Sequence, residues 1–297
     1  MVWAIIAVIV GIDAVWAWSM GIKVELNAGN LFLLAEFIFV GWLYATIRSN
    51  EQVAAFAAGG AQLVAFTGAA GLLSYLMVAS AFPLIDNYLA AADAALGFDW
   101  LAMFMWVHAN RSVEYVLFLA YNSGAFQMVF LILLLPALEK FERLRELVWL
   151  IILSMIIILP LSWLFPAESA WVYFGVTDRT NAYHLSDFTA LRAGRMPEIT
   201  LGQVNGLVTF PSFHTAFGVI MIYVTRGIRF LFAIFIVLNI LLIASTPVWG
   251  GHYLVDVLAG LAVVPLAVTI MRWARHQRPT STRVRVVAPD FVNAVRD

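Results

Sequence analysis

Phe210-Pro211-Ser212-Phe213-His214-Thr215 opens, and Gly250-Gly251-His252-Tyr253-Leu254-Val255-Asp256-Val257-Leu258-Ala259-Gly260 closes, the stretch on which the reading of this sequence turns. Between them lie an apolar run, a basic turn at Thr225-Arg226-Gly227-Ile228-Arg229, and a second apolar run. One apolar run out and one back return the chain to the membrane face it left, so His214 and His252 are expected at one surface. His252 and Asp256 are four residues apart, one turn on the same helix face. A carboxylate there would fix the imidazole tautomer and leave the other ring nitrogen nucleophilic. The plainer alternative is a structural His–Asp pair tying the last span to its neighbours. Pro211 suits the first turn of a helix. The N–H groups from Ser212 to Thr215 would then face an anion, with the Ser212 and Thr215 hydroxyls as further donors. His214 sits where it could protonate a leaving oxygen; a lone histidine at a helix start is more often an interface residue, and the pairing of the two motifs is what favours chemistry.

The composition places this stretch in a bilayer. Hydrophobic residues make up 63% of the chain and charged ones 12%, against about 25% charge in soluble domains, and the mean hydropathy is +0.91. This is an integral membrane protein with spans of about 20 residues, expected as an all-α polytopic bundle. A net charge of −1 gives no basis for a nucleic-acid partner. With no cysteine there are no disulfides, thiolate nucleophiles or cysteine metal sites. The apolar run 2–22 lacks a basic leader and a small-residue cleavage site, and reads as a span rather than a signal peptide.

Eight spans are expected, at 2–21, 31–47, 54–82, 113–136, 146–166, 211–226, 229–246 and 252–272. Arg48, then Lys140, Arg143 and Arg145, then Arg226 and Arg229, then Arg272, Arg275, Arg278, Arg283 and Arg285 all fall on one side. The positive-inside rule makes that side, with both termini, cytoplasmic. Both histidines then lie at the outer (periplasmic, extracellular or lumenal) face. Three regions follow: accessory N-terminal helices at 1–82, a catalytic core at 83–272 and a cytoplasmic tail at 273–297. Residues 86–100 read as a helix lying in the interface, with Asp86 and Asp93 on a different face from Leu89 and Leu96, followed by a Trp- and Met-rich segment at headgroup depth; a short solvated helix is the alternative. Residues 167–210, polar and punctuated by Gly and Pro, read as an extramembrane lid.

Other polar residues in the spans have two readings each. Glu114, Tyr121, Asn122, Ser123 and Gln127 share the fourth span, where Tyr121 and Gln127 either line a substrate cleft or hydrogen-bond between helices. Asp13 and Glu36 make a mutual contact or mark an oligomer surface. His108, His184 and His276 have no partner at an informative spacing. The small residues from Ala54 to Gly71, including Gly59-Gly60, are expected to allow close helix contact.

The two histidine motifs, Pro211-Ser212-Phe213-His214-Thr215 and His252-Tyr253-Leu254-Val255-Asp256-Val257, resemble the second and third motifs of the type 2 phosphatidic acid phosphatase superfamily. The His-Tyr-x-x-Asp-Val wording, and Phe213 where phosphatases usually carry Gly, are more similar to its inositol phosphorylceramide synthase and sphingomyelin synthase branch. The stretch from Asp86 to Trp100 resembles bacterial members related to that branch. The resemblance covers residues 83–272. It implies a metal-independent lipid phosphotransferase or hydrolase without a cofactor, acting on a phospholipid or lipid phosphate, with a hydroxylated lipid as acceptor where transfer occurs. His252 would attack phosphorus to give a phosphohistidine, Asp256 would orient it, and His214 would protonate the leaving alcohol; water or a second alcohol would resolve the intermediate. Two cationic elements of the phosphatases are absent: the Lys, six residues, Arg-Pro motif, and the Ser-Arg before the second histidine, replaced here by Ser245-Thr246. The positive charge that phosphoryl transfer needs must come from elsewhere. Arg192 and Arg195, then Arg179, are the lid candidates, each with an alternative role facing headgroups or in a salt bridge. Within the family the alternative is a simple monoester phosphatase. From other classes they are an ion-coupled transporter using Asp13, Glu36 and Asp256, or a haem protein ligated by His214 and His252.

Overall fold

The small residues between Ala54 and Gly71 determine which helix sits at the centre. The computed structural model describes residues 1–182 and 184–277. Helix α1 (Val2–Met20) leads through strand β1 (Lys23–Leu26) to α2 (Ala28–Thr46) and α3 (Glu51–Ala79). Next come α4 (Asp86–Ala95) and α5 (Trp100–Ala109), bent by 83°, and α6 (Arg111–Asn122) and α7 (Gly124–Ala137), bent by 44°. Helix α8 (Phe141–Leu164) is followed by the lid with α9 (Ala170–Tyr173), α10 (His184–Arg192) and β2 (Glu198–Leu201). The chain closes with α11 (Phe213–Thr225), α12 (Arg229–Trp249) and α13 (Leu254–His276). A Cβ on Gly60 would lie 2.6 Å from Phe37 of α2, and one on Gly59 would lie 3.3 Å from Leu144 of α8. Small side chains thus let α3 pack closely against helices on two sides.

Apolar packing joins the whole bundle. Val2, Ile6 and Ile9 of α1, Phe66 of α3, Leu131 of α7, Leu147 and Ile151 of α8, Ile220 of α11 and Val264 of α13 belong to one core. Residues 1–82 therefore share their interior with the rest of the chain. Helix α2 buries only Gly41. Its apolar flank is what a membrane helix presents to lipid, where exposed apolar surface carries no penalty.

Among the described residues, six helices are long and apolar enough to cross a bilayer, and up to eight crossings result if each bent pair counts as one. The α6–α7 pair occupies the expected span 113–136, broken at Asn122–Gly124. The expected span at 211–226 is the 13-residue α11. At 1.5 Å per residue it is about 20 Å long, shorter than a hydrocarbon core of about 30 Å. At the end of α11 away from His214, Glu146 accepts hydrogen bonds from Arg143 at 2.9 Å and Arg226 at 2.8 Å, with Arg275 at 3.6 Å. The basic connectors expected on one side therefore meet at the end of the bundle opposite the histidines. Of the expected tail, residues to His276 continue α13, while Arg278, Arg283 and Arg285 lie outside the described residues.

Two expectations are corrected. Leu89, Ala90 and Asp93 share the buried face of α4, whereas Leu96 is exposed; seven residues make two turns, so Asp86 and Asp93 also share a face. That face is turned toward the start of α13 and the lid. Trp100 is 1% exposed and stacks on Phe104 and Phe174 as a core residue. Both Asp13 carboxylate oxygens are buried without a hydrogen-bond partner and Glu36 is exposed on α2, so these acids make no mutual contact.

Candidate active site

The turn Gly250-Gly251-His252-Tyr253 is held from three sides. Gly251 has φ +65°, a left-handed conformation that glycine adopts without strain, and a Cβ there would collide with Ser169 and Trp171. The lid clamps the same turn: Ala170 N–H donates to the Gly251 carbonyl at 2.8 Å, and Trp171 Nε1–H to Val248 at 3.0 Å. Trp100 Nε1–H donates to the His252 carbonyl at 2.9 Å. Finally, Asp93 accepts from the N–H groups of Leu254 at 2.8 Å and Val255 at 2.9 Å. These are donors that α13 cannot satisfy within its own first turn. Asp86 accepts from the Tyr253 hydroxyl at 2.9 Å and from the N–H groups of Glu168 and Ser169.

His252 is 2% exposed, and its Nδ1 lies 2.9 Å from the carbonyl oxygen of Thr209. A carbonyl only accepts, so Nδ1 carries the proton and Nε2 carries the lone pair. Burial lowers the pKa of His252 to about 4, with the Thr209 hydrogen bond acting in the opposite direction. The ring is therefore neutral at pH 7. Asp256 Oδ2 lies 3.5 Å from Nδ1 and accepts from the Tyr253 N–H at 2.8 Å. The Thr209 carbonyl thus holds the tautomer, and Asp256 stands 3.5 Å from the same nitrogen while capping α13.

The ring of His214 lies 6.1 Å from that of His252, centroid to centroid, inclined at 61°. Tyr121 stacks on the His214 ring at 4.7 Å. Ser212 is the N-cap of α11: its hydroxyl accepts from Thr215 N–H at 3.2 Å and from the Thr215 hydroxyl at 3.1 Å. Both side chains are fully buried. Pro211, joined to Phe210 by a cis peptide, precedes this cap and is not in the first turn, contrary to expectation. Ser212 N–H donates to the Asp256 carbonyl at 3.0 Å, which ties α11 to α13. A Cβ on Gly260 would lie 2.5 Å from the Ser212 carbonyl. Only glycine permits the approach that brings the two histidines together.

Of the three lid arginines, Arg192 is partly buried and within electrostatic reach of Asp86, which holds the Tyr253 hydroxyl. Its Nη1 is buried without a hydrogen-bond partner. Burial lowers its pKa, while the carboxylates of Glu168 and Asp86 act against that. Arg179 is exposed, with Nη1 3.4 Å from Met105 Sδ, and Arg195 is exposed. Gln127 accepts from Asn239 Nδ2 at 2.8 Å, a buried link between α7 and α12 rather than a cleft wall. Tyr121 and Gln127 are therefore split between the site and the packing.

Sequence reasoning missed two groups at the site and one ion pair beside α5. His184 on α10 is within electrostatic reach of both His252 and His214, and its ring lies 5.7 Å from Trp171. Burial first, then His252, lowers its pKa to about 4, with Asp187 acting in the opposite direction. The Thr209 carbonyl is main chain, so no side-chain pattern could reveal it. His108 pairs with Glu114 at 2.6 Å across the α5–α6 turn, a spacing of six that regular helix geometry does not bring together. Among the described residues, no group of three or more His, Asp or Glu is arranged to hold a metal.

Fold and site together define a helical membrane protein with a buried histidine-pair centre. The chain belongs to the PAP2 superfamily, which it matches over residues 87–270, a range containing both histidine motifs. Membership makes it a phosphatase- or phosphotransferase-type enzyme for lipid phosphates, and supports neither the transporter nor the haem alternative. No curated protein and no solved structure matches the chain.

Proposed function

We propose that the protein cleaves a lipid phosphate ester through a covalent phosphohistidine on His252. The observation that carries this reading is the pair of imidazoles 6.1 Å apart, one with its Nδ1 proton fixed by a carbonyl. Nε2 of His252 attacks phosphorus, and the bond from phosphorus to the leaving alkoxide breaks. His214 gives that oxygen a proton. A reacting pair must approach to about 3–3.5 Å, and a phosphoryl group between the rings meets that requirement from the His252 side while presenting its ester oxygen to His214. In the second step His214 takes a proton from water or an alcohol, which attacks phosphorus and releases His252. Arg192 supplies the positive charge for the phosphoryl oxygens, with its unpartnered Nη1 as donor. The Asp256 carboxylate balances charge on the phosphorylated ring.

The site lies at the end of the bundle opposite the arginine cluster, which supports an outer-face location with cytoplasmic termini. Headgroup transfer to a hydroxylated lipid, as in the inositol phosphorylceramide synthase-like branch, is the form we favour over monoester hydrolysis. A diester carries less charge, and one facing arginine suits it better than a monoester. Purified protein incubated with labelled lipid phosphates and phosphodiesters, with and without a hydroxylated lipid, tests this by thin-layer separation. A new headgroup lipid that depends on the acceptor is expected. Release of inorganic phosphate from a monoester as the sole activity would overturn the transfer reading, and inactivity on every lipid ester would overturn the whole.

A further inference from the structure

The family match begins at residue 87, so α1–α3 lie outside it. Even so, the lid is fastened to them. Strand β1, in the α1–α2 connector, pairs in parallel with β2 of the lid, Lys23 opposite Glu198 and Leu26 opposite Leu201. Tyr75 of α3 is 2% exposed and donates its hydroxyl proton to Asp187 Oδ2 of α10 at 2.6 Å. The same Tyr75 oxygen accepts from Asn205 N–H at 2.8 Å, and Asn205 Nδ2 donates to Asp187 Oδ2 at 2.8 Å. Around this triangle Leu72, Leu76, Phe188, Leu191, Ile199 and Leu207 form a separate apolar core. Asp187 lies on α10 between His184 and Arg192. Fixing Asp187 therefore fixes the rotation of the helix that carries His184, within electrostatic reach of both histidines, and Arg192, within reach of Asp86 and Glu168. A short bond between a hydroxyl and a carboxylate is among the stronger neutral-to-ion contacts, and here it is partly buried.

We infer that Tyr75, in the segment outside the family match, is a positioning residue for the reaction: through Asp187 it latches α10 so that Arg192 meets the phosphoryl group. The N-terminal helices are then part of the catalytic unit. The inference rests on the proposed role of Arg192. Its test is a double-mutant cycle on the full-length enzyme, assayed with the lipid ester that the substrate panel identifies. Tyr75→Phe keeps the ring and removes the hydroxyl, and is expected to lower kcat/KM about tenfold, within the range of coupled neighbours. In an Arg192→Gln background the same change should cost less than about threefold, because the group it positions is gone. A general structural role would instead give the full tenfold in both backgrounds, and that outcome overturns the inference. Asp187→Asn, which keeps the side-chain shape, provides a second cycle with the same expectation should Tyr75→Phe fold poorly. A His252→Ala control separates the two levels. Retained activity there refutes the catalytic reading itself, whereas an inactive His252→Ala alongside a fully active Tyr75→Phe refutes only the latch.

Discussion

Asp93 is distant in sequence from the histidine it supports, which makes it a sensitive probe of the arrangement. Its carboxylate is 1% exposed and accepts the Leu254 and Val255 N–H groups at 2.8 and 2.9 Å. Asp93→Ala leaves both donors buried and unpaired, at about 1–3 kcal/mol each, and removes an anion from a helix N-terminus, worth about 0.3–1 kcal/mol. Release from the burial of the charge itself offsets part of this, so a net loss of about 3 kcal/mol is expected. Asp93→Asn keeps one carbonyl oxygen to accept but sets an amide against the second donor, so its loss should be about half as large. Thermal unfolding in detergent and initial rates well below the unfolding temperature measure the two consequences. The expected order is wild type, Asn, Ala for both, with turnover falling more than stability because the released turn carries His252. Wild-type rates in a destabilised Asp93→Ala would show that α4 supports the fold without placing the histidine. Unchanged stability in both variants would refute the capping argument.

Further outcomes follow from the same geometry. Gly260→Ala forces a Cβ to within 2.5 Å of the Ser212 carbonyl and should cost about 1–3 kcal/mol with loss of turnover as the rings separate; Gly68→Ala, with nothing within 4 Å, should leave the rate unchanged in a side-by-side assay. Arg192→Gln should lower kcat/KM about 100-fold, whereas Arg195→Gln and Arg179→Gln, both exposed, should stay close to wild type; steady-state kinetics on all three would show an equal fall if the lid charge acts only in bulk. His252 has a folded pKa of about 4 against an ordinary value of 6.5. Its contribution to stability is present above pH 6.5 and is lost as pH falls from 6.5 toward 4, by at most about 3 kcal/mol. Unfolding temperature measured across that range should drop less in His252→Gln than in wild type, and parallel curves would contradict the assignment of a buried neutral ring.

The sequence carried the bundle and the two histidines because both are local signals. Apolar runs reveal their own length, and a spacing of four keeps His252 and Asp256 within 3.5 Å, although His252 precedes α13, which starts at Leu254, and does not share its helix as expected. The α4 acids were visible too, seven residues apart, but a spacing says which residues share a face and not what that face meets, here the N-terminus of α13. His184 was illegible because its partners come from other elements, and Thr209 because a main-chain carbonyl has no residue identity. Pro211 was misplaced because helix-start preferences say that a proline belongs near the first turn without fixing whether the cap precedes or follows it. Gln127 and Tyr121, alike in the sequence, parted because the α6–α7 break turns them toward different neighbours.

Chemical identification of the intermediate tests the central claim most directly. Enzyme mixed with a substrate radiolabelled at phosphorus and quenched within one turnover should carry an acid-labile, base-stable label. Peptide mapping should place it on His252 in wild type, with none in His252→Gln and an accumulated amount in variants slow in the second step. Label on His214 instead, or full turnover by His252→Gln without any labelled protein, would contradict the account.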